Sequence, residues 1–170
     1  MTKDQRTVAV GALSGIVGMI ALVWALSRII NTPLIDDDPG ARLTYALKWS
    51  VFAAVPFFAM IVAVGNARFL GEAIDPTRHK EDPAMEVNGR VADNTQQQLL
   101  LFVIGLLALS VSMPFARLSF VPALAITFVI ARVIFWIGYR IHPLYRAPGF
   151  SPVAYMNLFM FIAVFWLWLR

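Results

Sequence analysis

Residues 86–113 read EVNGRVADNTQQQLLLFVIGLLALSVSM, and this stretch decides the fold. Its second half, Leu99 to Met113, is an apolar run of about 15 residues, or roughly 22 Å of helix at 1.5 Å per residue. That is too short for the roughly 30 Å hydrocarbon core of a bilayer. The polar half before it, Arg90 to Gln98, contains no proline and follows a single glycine, Gly89, so it can continue the same helix and carry polar side chains past the membrane boundary.

Outward from it the chain offers four further apolar spans. They run from Val8 to about Ile30, from about Leu43 to Gly65, from Val121 to Ile141 and from about Val153 to Leu169. Over 170 residues the chain is 59% hydrophobic and 14% charged, well above the roughly 45–50% apolar content of soluble domains. The reading is an all-α integral membrane protein, a bundle of five transmembrane helices. The first span follows Lys3 and Arg6 as a signal peptide would, but its apolar run exceeds the usual length of 7–15 residues, so it reads as a retained helix. Its Gly11 and Gly15, and Ser14 with Gly18, have the spacing that lets two helices approach closely, although small residues are common in any membrane helix. Pro56, inside the second span, is expected to kink that helix without stopping it.

Five crossings put the termini on opposite faces. One face holds Lys3, Arg6, Arg68, Arg78, Lys80, Arg90, Arg140 and Arg146, the other Arg28, Arg42, Lys48, Arg117 and Arg170. The excess on the first places the N-terminus in the cytoplasm and the C-terminus across the membrane. Asn66 to Gln98 then forms a cytoplasmic loop punctuated by Asp75-Pro76 and Asp82-Pro83, and Asp36, Asp37 and Asp38 before Pro39-Gly40 form a solvated turn opposite.

Several chemistries are excluded. The chain has no cysteine, hence no disulfide, thiolate metal site or cysteine nucleophile. His79 and His142 are too few for a zinc site, the aspartates match no calcium loop, and no phosphate-binding glycine loop or hydrolase triad appears. Nothing in the charge pattern forms a basic arm for nucleic acid.

Arg132 lies within the fourth span, where an arginine is costly unless it faces the bundle interior and meets an acceptor or an anionic ligand. No carboxylate occurs in any apolar run, so amide side chains, backbone carbonyls and a bound anion are all open as partners. Glu86, Arg90, Asn94 and Gln97 follow steps of four, four and three along one helical stripe. Tyr139 follows Arg132 by seven residues on the same face, with Phe135 between. The two stripes together suit a cleft for a small anionic peptide.

These residues carry a resemblance. Glu86 to Gln98, then Ala131-Arg132 with Gly138-Tyr139 and Arg146-Ala-Pro-Gly-Phe150, resemble the MAPEG family, the membrane-associated proteins in eicosanoid and glutathione metabolism. The resemblance covers roughly Leu43 to Leu169. It divides the chain into an N-terminal transmembrane helix and loop, 1–42, and a MAPEG-like four-helix membrane domain, 43–170. It implies a homotrimer with glutathione bound near the cytoplasmic face, and a glutathione-dependent transferase or peroxidase acting on a lipophilic small molecule from the bilayer. The family also includes a non-enzymatic lipid-binding protein, which implies as the alternative a non-catalytic scaffold that binds a lipid or a partner.

Against the family's helix motif, Glu86, Arg90 and Asn94 match. Val87 stands where an arginine is expected and Gln97 where a glutamate is expected. Arg132 and Tyr139 match the family's arginine and tyrosine. The resemblance thus implies Glu86, Arg90, Asn94, Gln97, Arg132 and Tyr139 as ligand-binding residues. The thiol-activating arginine of enzymatic relatives falls just after the loop matching Arg146 to Phe150, where this chain has Gly149 and Phe150. Arg146 is the nearest arginine left for that catalytic role and Arg132 the second. No metal is implied.

Overall fold

The computed structural model describes residues 1–33, 36–78 and 80–170, the side chain of residue 76 excepted. His79 lies outside them. Among the described residues five long helices carry the fold: α1 (Lys3–Ile29), α2 (Pro39–Leu70), α3 (Pro83–Ser112), α4 (Phe120–Ile141) and α5 (Ala147–Trp168). All five are long and apolar enough to cross a membrane.

Helix ends are set by local chemistry. Asp38 caps α2 by accepting from the amides of Gly40 (2.8 Å) and Ala41 (3.2 Å), with Pro39 in the first turn. Asp82 does the same for α3, accepting from Met85 N at 2.8 Å ahead of Pro83. Each pair joins a side-chain acceptor for orphan amides to a proline whose missing N–H costs nothing there. The Asp82-Pro83 pair therefore starts α3 instead of punctuating a loop. With α2 running on to Leu70, the segment expected to loop from Asn66 to Gln98 shrinks to 71–82. Within it the hydroxyl and amide of Thr77 donate to Asp75 and hold its carboxyl below the ordinary range, and Arg68 Nε binds Glu81 Oε1 at 2.8 Å. The polar stretch Arg90 to Gln98 does continue the third helix. At the α5 end, Ala147 to Phe150 form its first turn, not a loop, with Pro148 in the position that proline tolerates. Pro56 lies inside α2 without ending it.

In packing, α2 lies on α3 and α4, α5 lies on α3 and α4, and α1 rests chiefly on α5 and also on α4. Gly11 and Gly15 make the α1 contact: a Cβ at Gly15 would stand 2.4 Å from Pro148 O, and one at Gly11 3.1 Å from Pro148 Cδ. Gly18 has open space beside it, so the small-residue spacing marks a real seam only over its first turn. The core joins Phe102, Leu106, Val121, Phe128, Val153 and Met160. Outward, Val51, Val55, Phe58, Ile134, Ile137, Phe159 and Ile162 are exposed. A soluble protein does not leave apolar surface of that extent uncovered; a bilayer covers it.

Topology places the start of α1, the end of α2, the start of α3, the end of α4 and the start of α5 on one face, called here the loop face after residues 71–82. The opposite ends form the far face.

Candidate functional site

The apolar sequence of α4 drives that helix into the bundle centre, and Arg132 goes with it. It is 0% exposed. Its guanidinium donates from NH1 to Asn94 Oδ1 of α3 at 3.0 Å and from NH2 to Gly149 O of α5 at 2.8 Å, and it lies over the ring of Phe135, 4.7 Å from the centroid. Among the described residues its Nε has no partner. Of the partners left open for Arg132, the structure supplies an amide on the polar start of α3 and a backbone carbonyl. One arginine ties three helices.

Gly149 makes that geometry possible. A Cβ there would stand 2.3 Å from Phe135 N and 2.5 Å from Ala131 O. Only a residue without a side chain lets α5 reach the α4 backbone and aim a carbonyl at the guanidinium.

Toward the loop face, Arg146 NH1 donates to Tyr139 Oη at 3.2 Å and its guanidinium stands 5.3 Å from the tyrosine ring centroid. A cleft of about 480 Å³ opens here, lined by Val8, Arg90, Asn94, Phe135, Tyr139, Arg146, Ala147, Phe150 and Ser151. Two guanidinium groups, an amide, a phenol and a hydroxyl line it and, among the described residues, no carboxylate does. The lining is chemically suited to an anion with an apolar portion.

Of the residues singled out from sequence, Arg90, Asn94, Tyr139 and Arg146 meet at this cleft, and Arg132 lies behind it, bonded to Asn94. Glu86 and Gln97 do not join them. Glu86 lines a separate cleft of about 620 Å³ between α2 and α3 with Arg68, Glu81, Arg90 and Asp93. It stands 3.7 Å from Arg90 in an exposed i,i+4 pair of the kind worth only a few tenths of a kcal/mol, so Arg90 is held loosely between the two clefts. Gln97 is exposed on α3.

Sequence reasoning passed over Asn88, which accepts from Trp136 Nε1 at 2.9 Å. It also passed over Asn157, whose amide donates to Gln98 O at 3.1 Å and Gln98 Oε1 at 2.9 Å. Asn157 carried a signal, being an amide inside the apolar fifth span; Ser151, Val8 and the contact of Gly149 carried none without the packing.

A model of the MAPEG family matches residues 46–166. The chain belongs to the MAPEG family. Helices α3 and α4 of this MAPEG chain fall wholly within the match, α2 and α5 fall mostly within it, and α1 falls outside it. Among curated proteins it is similar to transmembrane protein 79 of Bos taurus, 27% identical over 130 residues that cover 74% of this chain and 33% of that protein. The Mus musculus protein of the same name is 26% identical over 112 residues, 66% of this chain and 28% of that one. The chain spans about a third of the length of these relatives. No solved structure matches the MAPEG chain.

Proposed function

We propose that this MAPEG-family membrane protein binds glutathione in the cleft between α3, α4 and the start of α5, with its N-terminus and the loop face in the cytoplasm. The observation that carries the reading is that Arg90 and Arg146 line one cleft with Asn94, Tyr139 and Ser151, and among the described residues no carboxylate shares it. Guanidinium groups suit the two carboxylates of the tripeptide, and the phenol and amide suit its peptide groups. Glutathione supplies a thiol. A thiol with pKa near 8.5 is only a few per cent ionised at neutral pH, and a neighbouring guanidinium raises that fraction, the role assigned to Arg146. A lipophilic substrate enters from the bilayer, and the assembly is a homotrimer as the family resemblance implies.

One observation favours a second reading, a non-catalytic scaffold that binds a lipid or a partner. Glu86 faces the other cleft and Gln97 faces outward, so the ammonium of the tripeptide meets no carboxylate. Transmembrane protein 79, the name its relatives carry, assigns no reaction.

Isothermal titration of reduced glutathione into the detergent-purified protein decides whether the tripeptide binds. A saturable heat that Arg146→Gln and Arg90→Gln both lose, at unchanged helix content, supports the first reading. Absence of heat at millimolar glutathione, where binding would be worth about 4 kcal/mol, rejects it. Arg132 is the wrong control because its loss breaks helix contacts directly.

A further inference from the structure

The far half of the bundle contains a second recess, walled by α1. An apolar groove of about 420 Å³ runs between α1, α4 and α5, past Met19, Trp24, Leu124 and Met156. Beside it lies a groove of about 200 Å³ that reaches Arg117 and Trp166. The two share Leu109, Phe120 and Ala163, so they adjoin, and together they are called here the channel. Because α1 lies outside residues 46–166, the α1 wall of the larger groove is an addition to the matched family core, which supplies the rest of its lining.

Its dimensions and ends point to an occupant. From Met156 to Leu167 the channel follows α5 for about 16 Å, roughly half of a 30 Å hydrocarbon core, the depth of one leaflet. Its inner end is wholly apolar. At the outer end, Trp24 lies under Arg28, 5.7 Å from guanidinium to ring, and Trp166 under Arg170 at 3.7 Å, the aromatic and cationic pairing that marks the headgroup level. Arg117 lines the channel at that level. Among the described residues it makes no ion pair and its side chain donates no hydrogen bond, whereas its neighbour Arg42 is engaged by Asp37 and by Met113 O at 2.7 Å. A leaflet-deep apolar channel ending at an unpaired guanidinium complements an acyl chain attached to an anionic headgroup.

We infer that this channel holds one acyl chain of an anionic phospholipid of the far leaflet, with the lipid phosphate at Arg117. The chain fills the space between α1 and α5 that direct side-chain packing leaves open beyond Gly15, and the bound lipid is part of what attaches α1 to the family core.

The test uses the full chain, exchanged into micelles with equimolar phosphatidylglycerol and phosphatidylcholine, washed in detergent and analysed for retained lipid by native mass spectrometry. The wild type is expected to keep phosphatidylglycerol over phosphatidylcholine by about fivefold, the advantage one basic residue gives at a membrane surface. Arg117→Gln, an exposed change that leaves packing intact, brings the ratio close to one. Ala163→Phe, checked for folding by gel filtration and circular dichroism, fills the channel and removes both lipids. Arg28→Gln, at the same level but outside the channel, leaves the ratio unchanged. Equal retention of the two lipids by the wild type overturns the inference, as does an Arg28→Gln loss matching that of Arg117→Gln. Retention of neither lipid by the wild type also overturns it and leaves the channel to a second copy of the chain.

Discussion

Replacing Arg132 separates a helix tie from a ligand contact, and the size of the effect follows from its bonds. Arg132→Met removes a charge whose Nε has no partner among the described residues, which is a gain, but takes a donor from the buried Gly149 O and from Asn94 Oδ1 at the edge of the cleft. An orphaned acceptor costs about 1–3 kcal/mol, so the single change is expected to destabilise by about that amount after the partial refund. Arg132→Lys keeps the buried charge and loses the fork that reaches two acceptors on different helices, so it should be at least as damaging as methionine. The decisive quantity is the coupling with Asn94→Ala. In that double-mutant cycle the bond to Gly149 O is absent from both Arg132-substituted arms and cancels. What remains is one charge-assisted bond, worth about 1.5–3 kcal/mol, against a mean of about 0.6 kcal/mol for interhelical bonds in a membrane protein. Equilibrium unfolding by sodium dodecyl sulfate in mixed micelles, followed by far-ultraviolet circular dichroism and by the fluorescence of the five tryptophans, measures all four species. A coupling below about 0.5 kcal/mol, the error of additivity for independent sites, would refute the tie and return Arg132 to the ligand.

Two further substitutions test the close approaches on either side of that tie. Gly149→Ala should destabilise by at least the roughly 1–3 kcal/mol of an overpacked core, because the new methyl meets the backbone of Phe135 and Ala131 at 2.3 and 2.5 Å. The same unfolding titration reads it, and a midpoint within error of wild type would mean that α5 can slide on α4. On α1, Gly15→Ala should lower the midpoint while Gly18→Ala leaves it in place or raises it, since a Cβ at Gly15 lies 2.4 Å from Pro148 O and one at Gly18 meets nothing within 4 Å; equal effects would count against the α1–α5 seam.

The number and order of the helices were legible because a membrane span is a property of composition along one segment, read without knowing any neighbour. Helix ends were less so. Asp82-Pro83 and Pro148-Gly149 are turn signals and equally first-turn signals, and only the chain that follows selects between them. For α3 it is the uninterrupted run to Ser112. For α5 it is the backbone of α4 packed against Gly149, a tertiary fact with no trace in local sequence.

The site divides for a geometric reason. A helix turns about 100° per residue, so each step of four drifts about 40° and a stripe that looks straight in sequence winds around the cylinder. Starting from Glu86, Arg90 is rotated by about 40° and Asn94 by about 80°, whereas Gln97 returns to about 20°. The buried face of α3 centres on Val91, Thr95 and Phe102, and Asn94 lies at its edge. Gln98, only about 40° beyond Asn94, shares that face and bonds Asn157, while Glu86 and Gln97 together point off it. Arg90 falls between and lines both clefts. The stripe of four residues therefore splits into one that reaches the arginine core, one that borders it and two that face elsewhere, and the residue replacing the expected glutamate stands on the side where its missing charge leaves Arg132 untouched.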